Sequence, residues 1–223
     1  MASCMEPGNP ALCALTGVEK RYGGTPVLGP VTLSLCAGEV LGIQGPNGAG
    51  KSTLLDIMAG VLAPDGGQCA YADPAWGRIG YVPQELSLYS ALSGLENLRF
   101  WGLASGLPAK AAAVRGRWLL EQLGLSDKAA QPVSAYSGGM KRRLHLATAL
   151  MATPNLLLLD EPTVGADDAS VELILAMLRR LRERGCAIAM TSHHAGELER
   201  VCTRLIKLEG GRLVSEVNVP CQD

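Results

Sequence analysis

The sequence predicts an α/β chain with a buried sheet core and a helical portion inserted in the middle. Three observations lead to that expectation. The apolar run Val40-Leu41-Gly42-Ile43 passes through a glycine-rich loop into the helix-like Thr53-Leu54-Leu55-Asp56-Ile57-Met58-Ala59. Leu156-Leu157-Leu158-Leu159 is a short, wholly apolar run of the kind a buried parallel sheet uses. Between about 93 and 135, apolar residues such as Leu95, Leu98, Leu103, Val114, Leu119 and Leu123 recur instead at helical spacing, with Gly and Pro at the breaks.

In chain order, residues 1–10, with Pro7, Gly8, Asn9 and Pro10, read as a frayed lead-in. Residues 11–18 read as a strand and Glu19-Lys20-Arg21-Tyr22-Gly23-Gly24 as the turn leaving it, which sets Tyr22 on a loop. Two further strand-like runs cover 31–36 and 39–44, and the helix after the glycine-rich loop ends near Gly60. Pro64-Asp65-Gly66-Gly67 is a turn, followed by short strands at 68–72 and 78–82, the second stopping at Pro83-Gln84. Phe100, Trp101 and Trp118 are expected to fill the small core of the helical insertion. Beyond the four leucines, helices are expected over about 168–184 and 196–202, and strands over 186–190, 204–208 and 212–217.

With 48% apolar and 18% charged residues, the 223-residue chain has enough apolar matter for a sizeable core. A net charge of −1, with Lys141-Arg142-Arg143 the densest basic cluster, argues against a broad electrostatic footprint, so no nucleic acid partner is expected. Seven cysteines without a C-x-x-C pair are expected to be reduced thiols. No run approaches the ~18 apolar residues of a membrane span, and the start lacks a basic segment followed by an apolar one. At a membrane, a partner would have to hold the chain.

The loop Gly45-Pro46-Asn47-Gly48-Ala49-Gly50-Lys51-Ser52-Thr53 fits G-x-x-x-x-G-K-[ST] between strand and helix and reads as phosphate-binding. Its glycines allow a close backbone approach and aim N–H groups at an anion where the helix dipole is positive. Lys51 would reach the β- and γ-phosphates, and the Ser52 hydroxyl would ligate Mg2+. Asp160-Glu161 ends a sheet strand where α/β sheets bind ligands; Asp160 would hold Mg2+, and Glu161 would polarise the water attacking a γ-phosphate. Ser137-Gly138-Gly139 in front of a helix suits an anion, and equally an ordinary N-cap. His193-His194 with Glu197 invites a metal reading that would need a further ligand.

The order of these motifs, with Gln84 after a strand and Ser192-His193 after another, resembles the ATP-binding subunit of ABC transporters over about residues 11–217. The resemblance implies a P-loop NTPase core with a mixed sheet, an N-terminal antiparallel β subdomain and a helical signature subdomain. It implies one ABC ATPase domain over 1–217, with 85–152 as the helical subdomain inserted in a RecA-like core and 218–223 as a tail. ATP and Mg2+ are the implied ligands, and ATP hydrolysis coupled to transport the implied activity. Tyr22 would stack on adenine, and Gln84 would reach Mg2+ and the attacking water. Ser137, Gly138 and Gly139 would contact the γ-phosphate of ATP held by another subunit. Asp160 is the implied metal carboxylate, Glu161 the catalytic base, Asp167 the aspartate of a dimer-contact loop and His193 the switch histidine.

Implied partners are a transmembrane permease subunit and a second copy, or a related ATPase subunit, in a head-to-tail dimer. The implied place is cytoplasmic, on the inner face of the membrane through the permease, whose coupling helix would sit near Leu86, Leu88 and Tyr89. Met140 replaces the usual signature glutamine, in a Tyr-Ser-Gly-Gly-Met pattern that resembles exporters. Asp168 stands where many relatives have proline, an exchange expected to suit helix N-capping. Two other readings stay open. ABC-type ATPases acting on nucleic acid carry a long coiled-coil or zinc insertion, whereas 86 residues without heptads or cysteine pairs separate Lys51 from Ser137. An ATP-gated binding module with little turnover would not need both Glu161 and His193.

Overall fold

The computed structural model describes residues 11–72 and 78–219, so the expected lead-in at 1–10 and all but the start of the expected tail lie outside it. An antiparallel sheet joins β1 (Ala11–Tyr22), β2 (Thr25–Cys36) and β4 (Gly66–Tyr71), with β1 in the middle. The second sheet contains β3 (Val40–Gln44), β5 (Ile79–Val82), β6 (Leu156–Leu159), β7 (Ala187–Thr191), β8 (Arg204–Glu209) and β9 (Arg212–Asn218). Its order is β5-β6-β7-β3-β8-β9, parallel except for β9 at one edge. Helices α1 (Lys51–Met58), α2 (Gly94–Ala104), α3 (Ala109–Gln122), α4 (Gly138–Leu150), α5 (Asp168–Glu183) and α6 (Ala195–Glu199) complete the fold.

The four leucines of β6 show why the core is double. Side chains alternate across a strand, so Leu156 and Leu158 join α1 and the antiparallel sheet in one buried cluster, with Leu54, Leu55 and Met58. Leu157 and Leu159 join the other, with Leu146 and Leu150 of α4 and Ile174 of α5. Both faces being covered, no position in the strand is left for a polar residue.

Several expectations change. β1 continues through Glu19-Lys20-Arg21 to Tyr22, which pairs with Thr25 around Gly23-Gly24, so Tyr22 ends a strand instead of lying on a loop. The polar residues misled because this end of the hairpin faces solvent. Likewise β9 runs to Asn218, inside the expected tail. Phe100 and Trp118 do not fill the insertion's core, being 41% and 37% exposed. The reason is a close approach of α2 and α3: a Cβ on Gly102 would come within 2.9 Å of the Ala112 Cβ, and the space between the helices is filled by Leu98, Leu119 and Leu120. The rings are left outside. Asp167, and not Asp168, caps α5, accepting the Ser170 N–H at 2.9 Å and the Ser170 hydroxyl at 3.0 Å. Cys13, Cys69, Cys186 and Cys202 are free thiols, whereas Cys36 is disulfide-bonded, against the expectation of reduced cysteines.

One buried charge cluster ties the two sheets. Arg204, 3% exposed, lies 2.6 Å from Glu39 and 2.7 Å from Glu216 and donates to the Ser34 carbonyl of β2. Arg204→Ala leaves two carboxylates facing each other without their cation. The expected loss is about 3 kcal/mol, the low end for breaking a buried pair because both carboxylates keep some water. A urea melt measures it; a change below ~1 kcal/mol would mean that water replaces the guanidinium at little cost.

Candidate functional site

β3 delivers the chain into the glycine-rich loop, and two glycines there have no substitute. A Cβ on Gly45 would strike the Leu208 carbonyl oxygen, and one on Gly50, the α1 N-cap at φ 94°, would come within 2.9 Å of the Val27 carbonyl oxygen. The loop is therefore pressed against β2 and β8, with the first turn of α1 open at its N–H end. Lys51 is only 7% exposed, and its ammonium donates to the carbonyls of Gly45 at 2.8 Å and Pro46 at 3.1 Å, which curls the loop around the side chain.

Asp160 and Glu161 follow β6, both nearly buried. A single hydroxyl organises them: Thr191 at the end of β7 donates to Asp160 Oδ1 at 2.6 Å and accepts the Glu161 N–H at 2.9 Å. Glu161 sits at φ 50°, a left-handed conformation rare for a non-glycine residue and a place where backbone strain is held. Its Oε2 accepts the His193 N–H at 3.3 Å, while Oε1 lies 3.2 Å from His193 Nε2 without a hydrogen bond. Burial raises the Glu161 carboxyl above the usual range, and the adjoining His193 pulls part of that rise back.

Asn47, Gly48, Ala49, Gly50, Lys51, Ser52, Thr53, Gln84, Asp160, Glu161 and His193 line one cleft of about 410 Å³, together with Val27. Gly45 and Pro46 stand behind it as the acceptors of Lys51. Of the two histidines it is His193 that lines the cleft; Glu197 accepts hydroxyls from Thr163 at 2.6 Å and Ser192 at 2.9 Å, so it does not complete a metal site with them. The donor set fits a magnesium-bound polyphosphate: N–H groups and a lysine for the anion, and a serine hydroxyl, an amide and a carboxylate for a hard cation. The buried Glu161 Oε1, without a hydrogen bond and 3.2 Å from His193 Nε2, adds an acceptor to a residue of the lining.

Tyr22, Ser137, Gly138 and Gly139 lie outside the cleft. Tyr22 is 50% exposed, with Lys20 Nζ 5.9 Å from the ring centre. Ser137 caps α4 by accepting the Met140 N–H at 3.2 Å, and it and Gly138 are exposed. Met140 packs against the buried core and does not reach the cleft. Arg142, one turn into α4, donates from Nη1 to the Gln84 carbonyl at 2.7 Å and from Nε to the Val164 carbonyl at 3.0 Å. Val27 and Thr191 escaped the sequence reading. For Thr191, the one signal is a hydroxyl at the end of an otherwise apolar strand, next to Ser192-His193.

The profile of the family described as ABC transporter matches residues 28–164. The linearmycin resistance ATP-binding protein LnrL of Bacillus subtilis is 38% identical over 206 residues, 89% of this chain and 66% of that protein. The Nod factor export ATP-binding protein I of Burkholderia lata is 42% identical over 207 residues, 89% of this chain and 68% of that protein. The chain thus spans about two thirds of the length of these relatives. Among solved structures, an ATP-binding subunit of an ABC transporter superposes with TM-score 0.84 at 26% identity, covering 93% of this chain and 90% of the other. A post-hydrolysis dimer of an ATP-binding cassette bound to ADP and Pi superposes with TM-score 0.83 at 26% identity, covering 93% and 99%. With motifs, fold and relatives in agreement, the chain belongs to the ABC transporter family and has the α/β fold of its ATP-binding subunits.

Proposed function

We propose that the chain binds ATP with Mg2+ in this cleft and hydrolyses it as the motor subunit of a membrane exporter. The observation that carries the reading is the convergence of Lys51, Ser52, Asp160, Glu161 and His193 on one cleft, with Glu161 Oε1 buried, without a hydrogen bond and 3.2 Å from His193 Nε2. The loop N–H groups and Lys51 hold the phosphates, and Tyr22 stacks on the adenine. Ser52, Asp160 and Gln84 would hold Mg2+, which when bound offsets the charge of the phosphate oxygens. Thr191 keeps Asp160 fixed for that role and places the Glu161 backbone. Glu161 accepts the proton of the attacking water, helped by a carboxyl whose proton affinity burial has raised, and His193 contacts the γ-phosphate. Phosphate release from ATP by the purified chain with Mg2+ tests the reading. A chain that binds ATP without turning it over would favour the binding-module alternative.

Ser137, Gly138 and Gly139 serve the cleft of a second chain, a reading supported by the exposed Ser137 and Gly138 at a helix N-terminus away from their own cleft. Because Met140 is turned into the core, Met140→Gln is expected to leave ATPase activity within a few-fold of wild type. Ser137→Arg puts bulk and charge into the joint and is expected to cut activity by at least tenfold. Steady-state phosphate release measures both; a hundredfold gain in Met140→Gln, ~2.7 kcal/mol of barrier, would show that methionine cripples the joint.

Relatives acting in Nod factor export and in linearmycin resistance favour export; the permease chooses what is carried. Residues 1–217 act as one domain, with 85–152 as a subdomain able to shift against the core. Attachment to the inner face runs through the permease; among the described residues no helix is long and apolar enough to cross a membrane. Leu86, Tyr89, Phe100 and Leu103 leave an apolar patch beside Gln84, with the Tyr89 and Phe100 rings edge-on at 4.7 Å. That patch takes the permease's coupling helix, while Leu88 packs against the core. Phe100→Asp is expected to keep ATP binding and to reduce co-sedimentation with permease-containing membranes at least fivefold. Unchanged recovery would place the contact elsewhere.

A further inference from the structure

Two thiols far from the cleft in sequence and role meet where β1 and β4 pair. Leu15 opposes Cys69 and Cys13 opposes Tyr71, so the cysteines are diagonal neighbours on one face of the sheet. Their sulfurs are 3.8 Å apart. Cys13 is wholly buried, Cys69 is half-buried, and among the described residues β4 is an edge strand, paired with β1 alone. Either thiol can donate to the other, and the Tyr71 hydroxyl, two residues along β4, lies beside Cys69 while bonded to the Ile57 and Met58 carbonyls at 3.3 and 3.1 Å. These neighbours lower Cys69 to about 7, while pairing and burial push Cys13 well up. Burial alone pushes Cys186 and Cys202 up to about 12, which leaves them protonated. A half-buried sulfur with a lowered pKa thus has a protonated sulfur 3.8 Å behind it.

We propose that Cys13 and Cys69 form a hydroperoxide-reactive dithiol that closes to a disulfide between β1 and β4. The Cys69 thiolate attacks one peroxide oxygen, the O–O bond breaks, and the departing hydroxide takes up a proton to become water. Cys69 is now a sulfenic acid, oxidised by two electrons. The Cys13 sulfur attacks the Cys69 sulfur, the S–O bond breaks, and hydroxide leaves as water with the Cys13 proton. Two thiols and one hydrogen peroxide give one disulfide and two waters. The sulfurs must draw in to ~2 Å, a movement that an edge strand can make.

The test starts from the reduced full chain, treated with hydrogen peroxide at neutral pH, blocked with N-ethylmaleimide and digested without reductant. Mass spectrometry is expected to find the Cys13 and Cys69 peptides joined, about 2 Da lighter than their sum and separated by dithiothreitol. Cys13→Ser, or Cys13→Ala if serine disturbs the core, is expected to stop at a dimedone-reactive sulfenic acid on Cys69. The oxidation rate should rise with pH through about 7 as Cys69 ionises. Maleimide on both residues after peroxide, a link from Cys69 to another cysteine, or a rate that climbs only in the ordinary thiol range near 8.5 would each overturn the proposal. The wild-type mapping needs no variant to fold.

Discussion

Glu161→Gln is expected to lower steady-state ATP hydrolysis by about 10²–10⁴-fold while leaving ATP affinity within about threefold of wild type. The amide keeps the shape of the carboxylate and can still sit beside His193, but it cannot take a proton from water. Because the proposed joint needs the γ-phosphate to span Lys51 of one chain and Ser137 of another, the variant should collect as an ATP-bound dimer that hydrolysis cannot reopen. Light scattering after gel filtration reads this directly: dimer with ATP and Mg2+, monomer with ADP. Near-normal hydrolysis would move the base away from Glu161. A variant that remains monomeric with ATP would show that the isolated chain does not close on its own.

Lys51→Ala is expected to weaken ATP binding by at least about a hundredfold, since charge-assisted hydrogen bonds contribute about 1.5–3 kcal/mol each and the ammonium would make more than one to phosphate. A second loss adds to it: the Gly45 and Pro46 carbonyls lose their common donor, so the loop no longer curls to one shape. Equilibrium titration with a fluorescent ATP analogue measures the first effect, and a thermal melt shows whether the fold survives. Equal affinity in variant and wild type would remove Lys51 from the phosphate site. The two substitutions separate binding from turnover, because one alters the anion's cradle and the other only a proton acceptor.

What could be read from the chain was whatever its neighbours in sequence decide. The glycine-rich loop works through contiguous backbone, and the leucines of β6 carry their double burial in their own alternation. Lys51, Gln84, Asp160, Glu161 and His193 each end or follow a recognisable strand, so their meeting at one edge followed from the sheet. Less legible was anything decided by a distant contact. Thr191 looks like an ordinary β-former until β7 is placed beside β6, and Val27 matters only because β2 lies over the loop. Phe100 and Trp118 look like core until Gly102 and Gly116 let their helices close. Asp167 and Asp168 are adjacent acids of equal capping propensity; only the backbone bend selects the first.

The contacts of Arg142 carry a mechanical consequence. Its planar cation hooks two main-chain oxygens, one in the stretch after β5 and one in the stretch after Glu161, while its own stem is fixed to α4. Three segments that the sequence keeps far apart therefore share a single rivet. A displacement of the Gln84 stretch would pull on the guanidinium and, through it, on α4 and the Val164 stretch. Burial has stripped part of the water from that cation, and the nearby Glu161 carboxylate offsets some of the cost of holding its charge. The guanidinium thus ties the Gln84 stretch to α4 and to the stretch after Glu161, so that a push on one is felt by the other two.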